Sequence, residues 1–253
     1  LIKSDLDAVV ISSPNFTHVP LALEAIKAGK HVFLEKPVGV TTAECRKLLR
    51  ASQKSDRILM IGHELRYSPY FAKVKQLIDK GAVGVPQMAW CKEFRGPFQP
   101  KSRNWIQDRR KSGGCLVDKN CHHFDLMNWW LNSRPKRVSA FGSNAINRVI
   151  SGPNQVHDHA TASWEYSNGA KGTLHLSLFA HEPPKETLEM GIVGLEGVLQ
   201  TDLDNLKLLL WEKGKRKEEP KVISVKAKRG IGWGGHLGFA EMHPAFIKAI
   251  RTG

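Results

Sequence analysis

The run Gly113-Gly114-Cys115-Leu116-Val117-Asp118-Lys119-Asn120-Cys121-His122-His123-Phe124-Asp125 concentrates groups able to move a proton. Asp118 and His122 stand four residues apart, and Asp118 and Asp125 seven apart, so on one helix all three share a face. Phe124, Leu126, Met127, Trp129, Trp130 and Leu131 continue the run as a wall too apolar for solvent. A histidine beside a carboxylate and against such a wall can exchange protons near neutral pH. An amphipathic helix with a capping Asp and a core His fits the same spacing. The paired glycines predict a turn that needs positive φ or close backbone approach. A second reactive group is Lys36 in Glu35-Lys36-Pro37, which ends a short apolar run.

The elements that must carry these groups read off the pattern. Residues 6–11 form a β-branched apolar strand followed by Ser12-Ser13-Pro14-Asn15, then a helix over 17–28 capped by Thr17 and stopped by Gly29. A strand over 31–34 delivers Glu35 and Lys36 at its carboxyl end, where parallel sheets place functional groups. Thr41 and Glu44 are spaced as a capping box for a helix to residue 52, and 58–61 is a third strand. This βαβαβ series predicts half of a doubly wound nucleotide-binding sheet. Beyond a helix over 68–80, strands are expected at 87–94, 137–143, 159–166, 170–178, 187–193, 198–201, 206–211 and 222–226, with Asn168-Gly169 as a hairpin turn. They predict a largely antiparallel sheet packed on a helix over 119–131, and a last helix covers 239–250.

Composition narrows the function classes. The 253 residues are 41% apolar and 25% charged, ordinary for a globular chain with ample core. The net charge of +14 fits nucleic acid, an anionic cofactor or solubility. The densest basic run, 213–229, alternates with acidic and apolar residues like a hairpin with a solvated rim. No aromatic RNA-binding pattern or helix-turn-helix signature occurs, so nucleic acid is not an expected partner. No apolar run reaches the roughly 18 residues of a membrane span. Cys45, Cys91, Cys115 and Cys121 make no CxxC pair, which favours a reducing, cytoplasmic setting. Any secretion signal would lie upstream of Leu1. His157-x-His159 and Cys121-His122-His123 lack a third ligand at usual spacing, so no metal is expected.

Ser13-Pro14-Asn15-Phe16-Thr17-His18, Glu35-Lys36-Pro37, Arg66-Tyr67-Ser68-Pro69 and Gly113-Gly114…Asp118-x-x-x-His122-x-x-Asp125 follow one another in order. The combination resembles the Gfo/Idh/MocA family of NAD(P)-dependent sugar and cyclitol oxidoreductases, over essentially the whole chain. The resemblance implies an α/β plus α+β fold. Residues 1–64 would be the C-terminal half of a Rossmann doubly wound parallel sheet. Residues 65–253 would be a mainly antiparallel α+β domain for substrate binding and oligomerisation. No Gly-x-Gly-x-x-Gly follows a strand of the βαβαβ series. The family's phosphate-cradling loop is therefore expected upstream of Leu1, in two further units of about 30 residues each. The chain is also expected to end early at Gly253, and alone to be poorly soluble or to bind cofactor weakly. Cys115 and Asn120 stand where the family often has glycine.

By the same resemblance His122 is the base, Asp118 orients it and the substrate, and Lys36 sits between substrate hydroxyl and nicotinamide. A lysine at a partly dry strand end can have a depressed pKa. Ser13, Pro14, Asn15, His18, Glu35, Lys36, Pro37, Arg66 and Trp105 are the expected NAD or NADP contacts. Lys36, Asn120, His123, Asp118 and His122 are the expected substrate contacts, with Asp125 holding Lys36 or Arg66. The implied activity is hydride transfer between NAD(P) and a secondary hydroxyl of a sugar, sugar acid or cyclitol, by a homodimer or homotetramer. An NAD-dependent glycosidase and a non-catalytic NAD- and sugar-binding regulator are the competing readings. Loops 96–110 and 230–235 are expected to set the substrate. The choice of NAD or NADP is expected to lie in residues upstream of Leu1.

Overall fold

The computed structural model describes residues 4–147, 152–180, 187–215, 219–227 and 237–252. The expected substrate loop at 230–235 lies outside them. Strands β1 (Ala8–Ile11), β2 (His31–Glu35) and β3 (Leu59–Gly62) make a parallel sheet in that order, with Val9 beside Val32 and Phe33 beside Met60. Helices α1 (His18–Lys27) and α2 (Thr42–Ser52) cover one face. Val9, Ile11, Val32 and Leu34 there pack on Val19, Ala22, Ala25 and Leu48. Thr41 and Glu44 form the expected capping box. Gly29 ends α1 at φ 72°. Thr17 does not cap α1 with its side chain, because its hydroxyl turns back onto the Pro14 carbonyl oxygen at 2.7 Å.

The second sheet holds eight strands in the order β11-β10-β9-β8-β4-β7-β6-β5. They are β4 (Pro86–Phe94), β5 (Pro135–Ser143), β6 (His159–Tyr166), β7 (Lys171–Ser177), β8 (Thr187–Gly194), β9 (Gly197–Asp202), β10 (Lys207–Glu212) and β11 (Lys221–Ser224). The pairing is antiparallel throughout except at the centre, where β4 and β7 run parallel. The chain leaves β4 through helices and two further strands before β7 inserts beside it. Helix α3 (Pro69–Asp79), capped by Ser68, and helix α6 (Cys121–Trp130) share the large core with this sheet. Tyr70, Phe71, Leu126, Met127 and Trp130 bury their side chains there.

One expectation needs correction. The helix expected over 119–131 does not run on from the residues before it. Helices α4 (Arg109–Ser112) and α5 (Cys115–Asp118) precede α6, and Asn120 lies outside helical geometry at φ −89°, ψ 1°. The break comes where the Asn120 side chain turns inward to Glu93. Asp118 and His122 therefore lie on different helices and share no continuous face. The last helix, α7 (Phe239–Thr252), leaves the second sheet and packs on the first, with Met242 and Phe246 against Phe33. Among the described residues no helix is long and apolar enough to cross a membrane.

Gly172 faces Trp164 across the β6–β7 ladder, and a Cβ at Gly172 would sit 2.1 Å from the indole. Overpacking of this kind costs about 1–3 kcal/mol. Gly172→Ala is expected to lower the urea midpoint at unchanged slope. Gly96→Ala, whose new methyl meets open space, should leave the midpoint where it was.

Candidate active site

The carboxyl ends of the three parallel strands face α5 and the start of α6. Lys36 follows β2 directly and donates from Nζ to the Asp118 carbonyl oxygen at 3.1 Å. Burial pulls the Lys36 ammonium down, but Asp118, Cys121, Glu64 and Glu35 together outweigh it and raise its pKa. The expected depressed lysine is thus corrected: Lys36 is a held cation, because the enclosing carboxylates exceed the desolvation penalty. Asn15 joins the two layers, donating to the Ser112 carbonyl oxygen at 2.9 Å and to Asp118 Oδ1 at 3.0 Å. Ser13 Oγ and Thr17 Oγ1 lie 2.5 Å apart; with Thr17 donating to Pro14, Ser13 is the donor of this pair. His18 is buried, with its ring nitrogens 2.7 Å from the Pro37 carbonyl oxygen and 2.8 Å from that of Ser13. It staples the loop after β1 to the loop after β2, spending both nitrogens within the protein.

His122 is buried on the first turn of α6. The carboxylate recorded beside it is that of Glu64, with Oε2 3.3 Å from Nδ1. The His63 ring meets the His122 ring edge to face at 5.5 Å and 87°, and burial lowers the His63 pKa. Asp118, expected to orient His122, accepts from Asn15 and has Lys119 Nζ 3.7 Å from Oδ2. Burial pushes the Cys121 thiol up to about 12, which keeps it protonated and poorly nucleophilic.

Asn120 and His123 are buried, and their polar atoms meet each other and Glu93. The Asn120 amide donates to Glu93 Oε2 at 2.8 Å and to His123 Nδ1 at 3.1 Å. Arg95 also reaches Glu93, at 3.2 Å. Of the two partners expected for Asp125, Arg66 is the one it holds: Arg66 donates to both Asp125 oxygens, at 2.6 and 2.9 Å, while its guanidinium lies over Trp129. Trp105 packs against the large core from the turn Ser102–Gln107, in which Arg103 and Asn104 are left-handed at φ 53° and 49°.

Sequence reasoning missed Glu64, Glu93 and Asp158 as organising acids. Glu64 stands two residues past β3, the strand-end position that singled out Lys36, so the same rule would have found it. Glu93 alternates with Ala89 and Cys91 on the buried face of β4, a buried charge in need of partners. Asp158 accepts from the backbone N–H groups of Ala145, Ile146 and Asn147, and His159 Nδ1 lies 2.9 Å from it. Asn147 in turn donates to Gln107 Oε1 at 2.7 Å, which ties this turn to the Trp105 segment.

Burial alone would raise the Asp158 carboxyl, but those hydrogen bonds outweigh it and bring the pKa to about 2. A carboxylate depressed on folding stabilises the protein above its unfolded pKa near 3.9, and that stability is lost as pH falls toward 2. Asp158→Asn is expected to cost about 2 kcal/mol at neutral pH. In urea titrations the gap between the two proteins should close between about pH 4 and pH 2.

Comparison with known proteins identifies the family. Residues 1–63 match the oxidoreductase family with an NAD-binding Rossmann fold, and residues 71–200 match the GFO/IDH/MocA C-terminal domain. The myo-inositol 2-dehydrogenase of Thermotoga maritima is 30% identical over 98% of this chain and 71% of its own length. The uncharacterized oxidoreductase YrbE of Bacillus subtilis is 31% identical over 67% of this chain, and the match spans 48% of that protein. A levoglucosan dehydrogenase solved with NADH and levoglucosan shares the fold, with a TM-score of 0.83 at 24% identity over 98% of this chain and 72% of that one. These matches cover nearly the whole chain, and the chain belongs to the GFO/IDH/MocA oxidoreductase family.

Proposed function

We propose that the protein carrying this chain is a dehydrogenase that interconverts a secondary hydroxyl and a ketone on a sugar, sugar acid or cyclitol, with NAD or NADP as hydride carrier. The observation that carries this reading is the convergence of a held ammonium, Lys36, and a buried imidazole, His122, at the carboxyl ends of parallel strands. The residues present fit one half of a dinucleotide. Loops 12–15 and 35–38 stand where such sheets bind ligands, and Glu35 offers a carboxyl to ribose hydroxyls. Burial and the charge of Glu64 raise the pKa of that carboxyl. With no Gly-x-Gly-x-x-Gly turn after β1, β2 or β3, these residues suit the nicotinamide and its ribose rather than the pyrophosphate. A nicotinamide held there would supply the acceptor for the hydride of the carbinol carbon.

The remaining demands fall on the protein. His122 takes the hydroxyl proton. The Lys36 ammonium donates to the oxygen as negative charge develops there, in a site shielded from water. Asp118 holds Lys36 through its carbonyl oxygen and, with Asn15, fixes the distance between the two layers. The relatives described above as acting on myo-inositol and levoglucosan support a polyhydroxylated substrate. Assembly as a homodimer or homotetramer through the broad sheet belongs to the same reading, and light scattering of the full-length protein tests it.

Reduction of NAD+ and NADP+ by the full-length protein should be scanned against inositols, aldoses and sugar acids. Turnover is expected with at least one of them, with Lys36→Ala and His122→Ala each losing about a hundredfold or more in kcat/KM. Release of an aglycone without net NADH would replace this reading with a glycosidase. Cofactor and sugar binding without turnover would replace it with a sensor.

A further inference from the structure

We propose that Glu64 is the positioning residue of His122: its carboxylate holds the imidazole protonated on Nδ1, so that Nε2 takes the substrate proton. The inference rests on the dehydrogenase reading above and adds to it a residue that the family motifs in this sequence do not mark.

Glu64 opens the turn Glu64–Tyr67 just past β3 and is 2% exposed. A carboxylate so enclosed costs several kcal/mol unless a donor or cation meets it. His122 Nδ1, 3.3 Å away, answers that demand with an N–H. The approach lies off the line of a formal hydrogen bond, as is common at catalytic pairs before substrate binds. The turn itself is fixed from two sides. Arg66 is clamped to Asp125 on α6. Gly238 comes so close that a Cβ there would lie 2.1 Å from the Glu64 carbonyl oxygen. The edge-on His63 ring limits rotation of the imidazole.

With Nδ1–H committed to Glu64, Nε2 carries the lone pair. When Nε2 takes the hydroxyl proton the ring becomes cationic. The pair with Glu64 then shortens and strengthens, so it contributes more as the reaction proceeds than before it. Glu64 takes no proton; the proton leaves Nε2 for water after the ketone forms. Other charged or titratable groups around this pair include Glu35 and Lys36 from the parallel sheet, and His63, Arg66, Asp118, Cys121, His123 and Asp125.

Glu64→Gln in the full-length protein keeps the shape and an acceptor oxygen while removing the charge. The expected result is a kcat lower by about a hundredfold, with KM for the cofactor unchanged. The acid limb of kcat/KM should move to lower pH, because an imidazolium without its carboxylate loses a proton more readily. Glu64→Asp, which restores the charge, should recover part of the loss. Heteronuclear NMR of the histidine side chains reads the same interaction without turnover: Nδ1–H in the wild type, a mixed tautomer in Glu64→Gln. A folded Glu64→Gln protein with wild-type kcat and acid limb overturns the proposal, as does a wild-type His122 protonated on Nε2. If Glu64→Gln does not fold, the wild-type tautomer and the Glu64→Asp rate decide. An Nδ1–H tautomer in a protein that turns over no carbohydrate would sink the dehydrogenase reading and leave the Glu64 assignment standing.

Discussion

A lysine ammonium enclosed at the end of a parallel strand is the constraint from which much of this structure follows. Removing a cation from water is costly unless opposite charge and hydrogen-bond acceptors surround it. Lys36 meets that requirement with one carbonyl oxygen, that of Asp118, and with the nearby carboxylates of Asp118, Glu64 and Glu35. These acids come from three separate places in the chain. The strand end, the turn after β3 and the helix α5 must therefore be held together for the cation to be tolerated.

The two layers are joined by contacts that serve this arrangement. Asn15, buried between them, reaches both the Ser112 carbonyl and the Asp118 carboxylate with one amide. Arg66 and Asp125 lock the turn after β3 to α6. Helix α7 returns from the end of the chain to cover the far face of the parallel sheet through Met242 and Phe246. Each link spans a long sequence separation, so the site forms only when both sheets are in place. His18 and Asp158 act at shorter range, one stapling the loops after β1 and β2, the other gathering three backbone N–H groups of a turn.

Local order was legible wherever one segment decides its own conformation. The capping box at Thr41 and Glu44, the stop at Gly29, the left-handed glycines 113 and 114 and the alternating strands depend on neighbours within a few residues. The Gly-Gly pair illustrates this. Both glycines adopt positive φ, at 83° and 93°, a region that costs other residues a Cβ clash. Spacing misled where a side chain found a better partner elsewhere. The four-residue interval between Asp118 and His122 suggested one helical face, but Asn120 turns to Glu93 and interrupts the helix between them. Thr17 sits where a cap belongs, yet its hydroxyl serves Pro14.

The sequence by itself determined the parallel β-α-β series and the strand-rich second half, and it singled out Lys36, Asp118 and His122 as candidates for the chemistry. Residue type and short spacing carry that information. Only the tertiary structure decided which carboxylate meets which nitrogen. Glu64 and His122 are 58 positions apart, and nothing in either segment encodes the 3.3 Å between them. The same is true of the charge state of Lys36. Its sign of shift follows from how many acids the fold gathers around one ammonium, a sum over the whole site that no single stretch of chain contains.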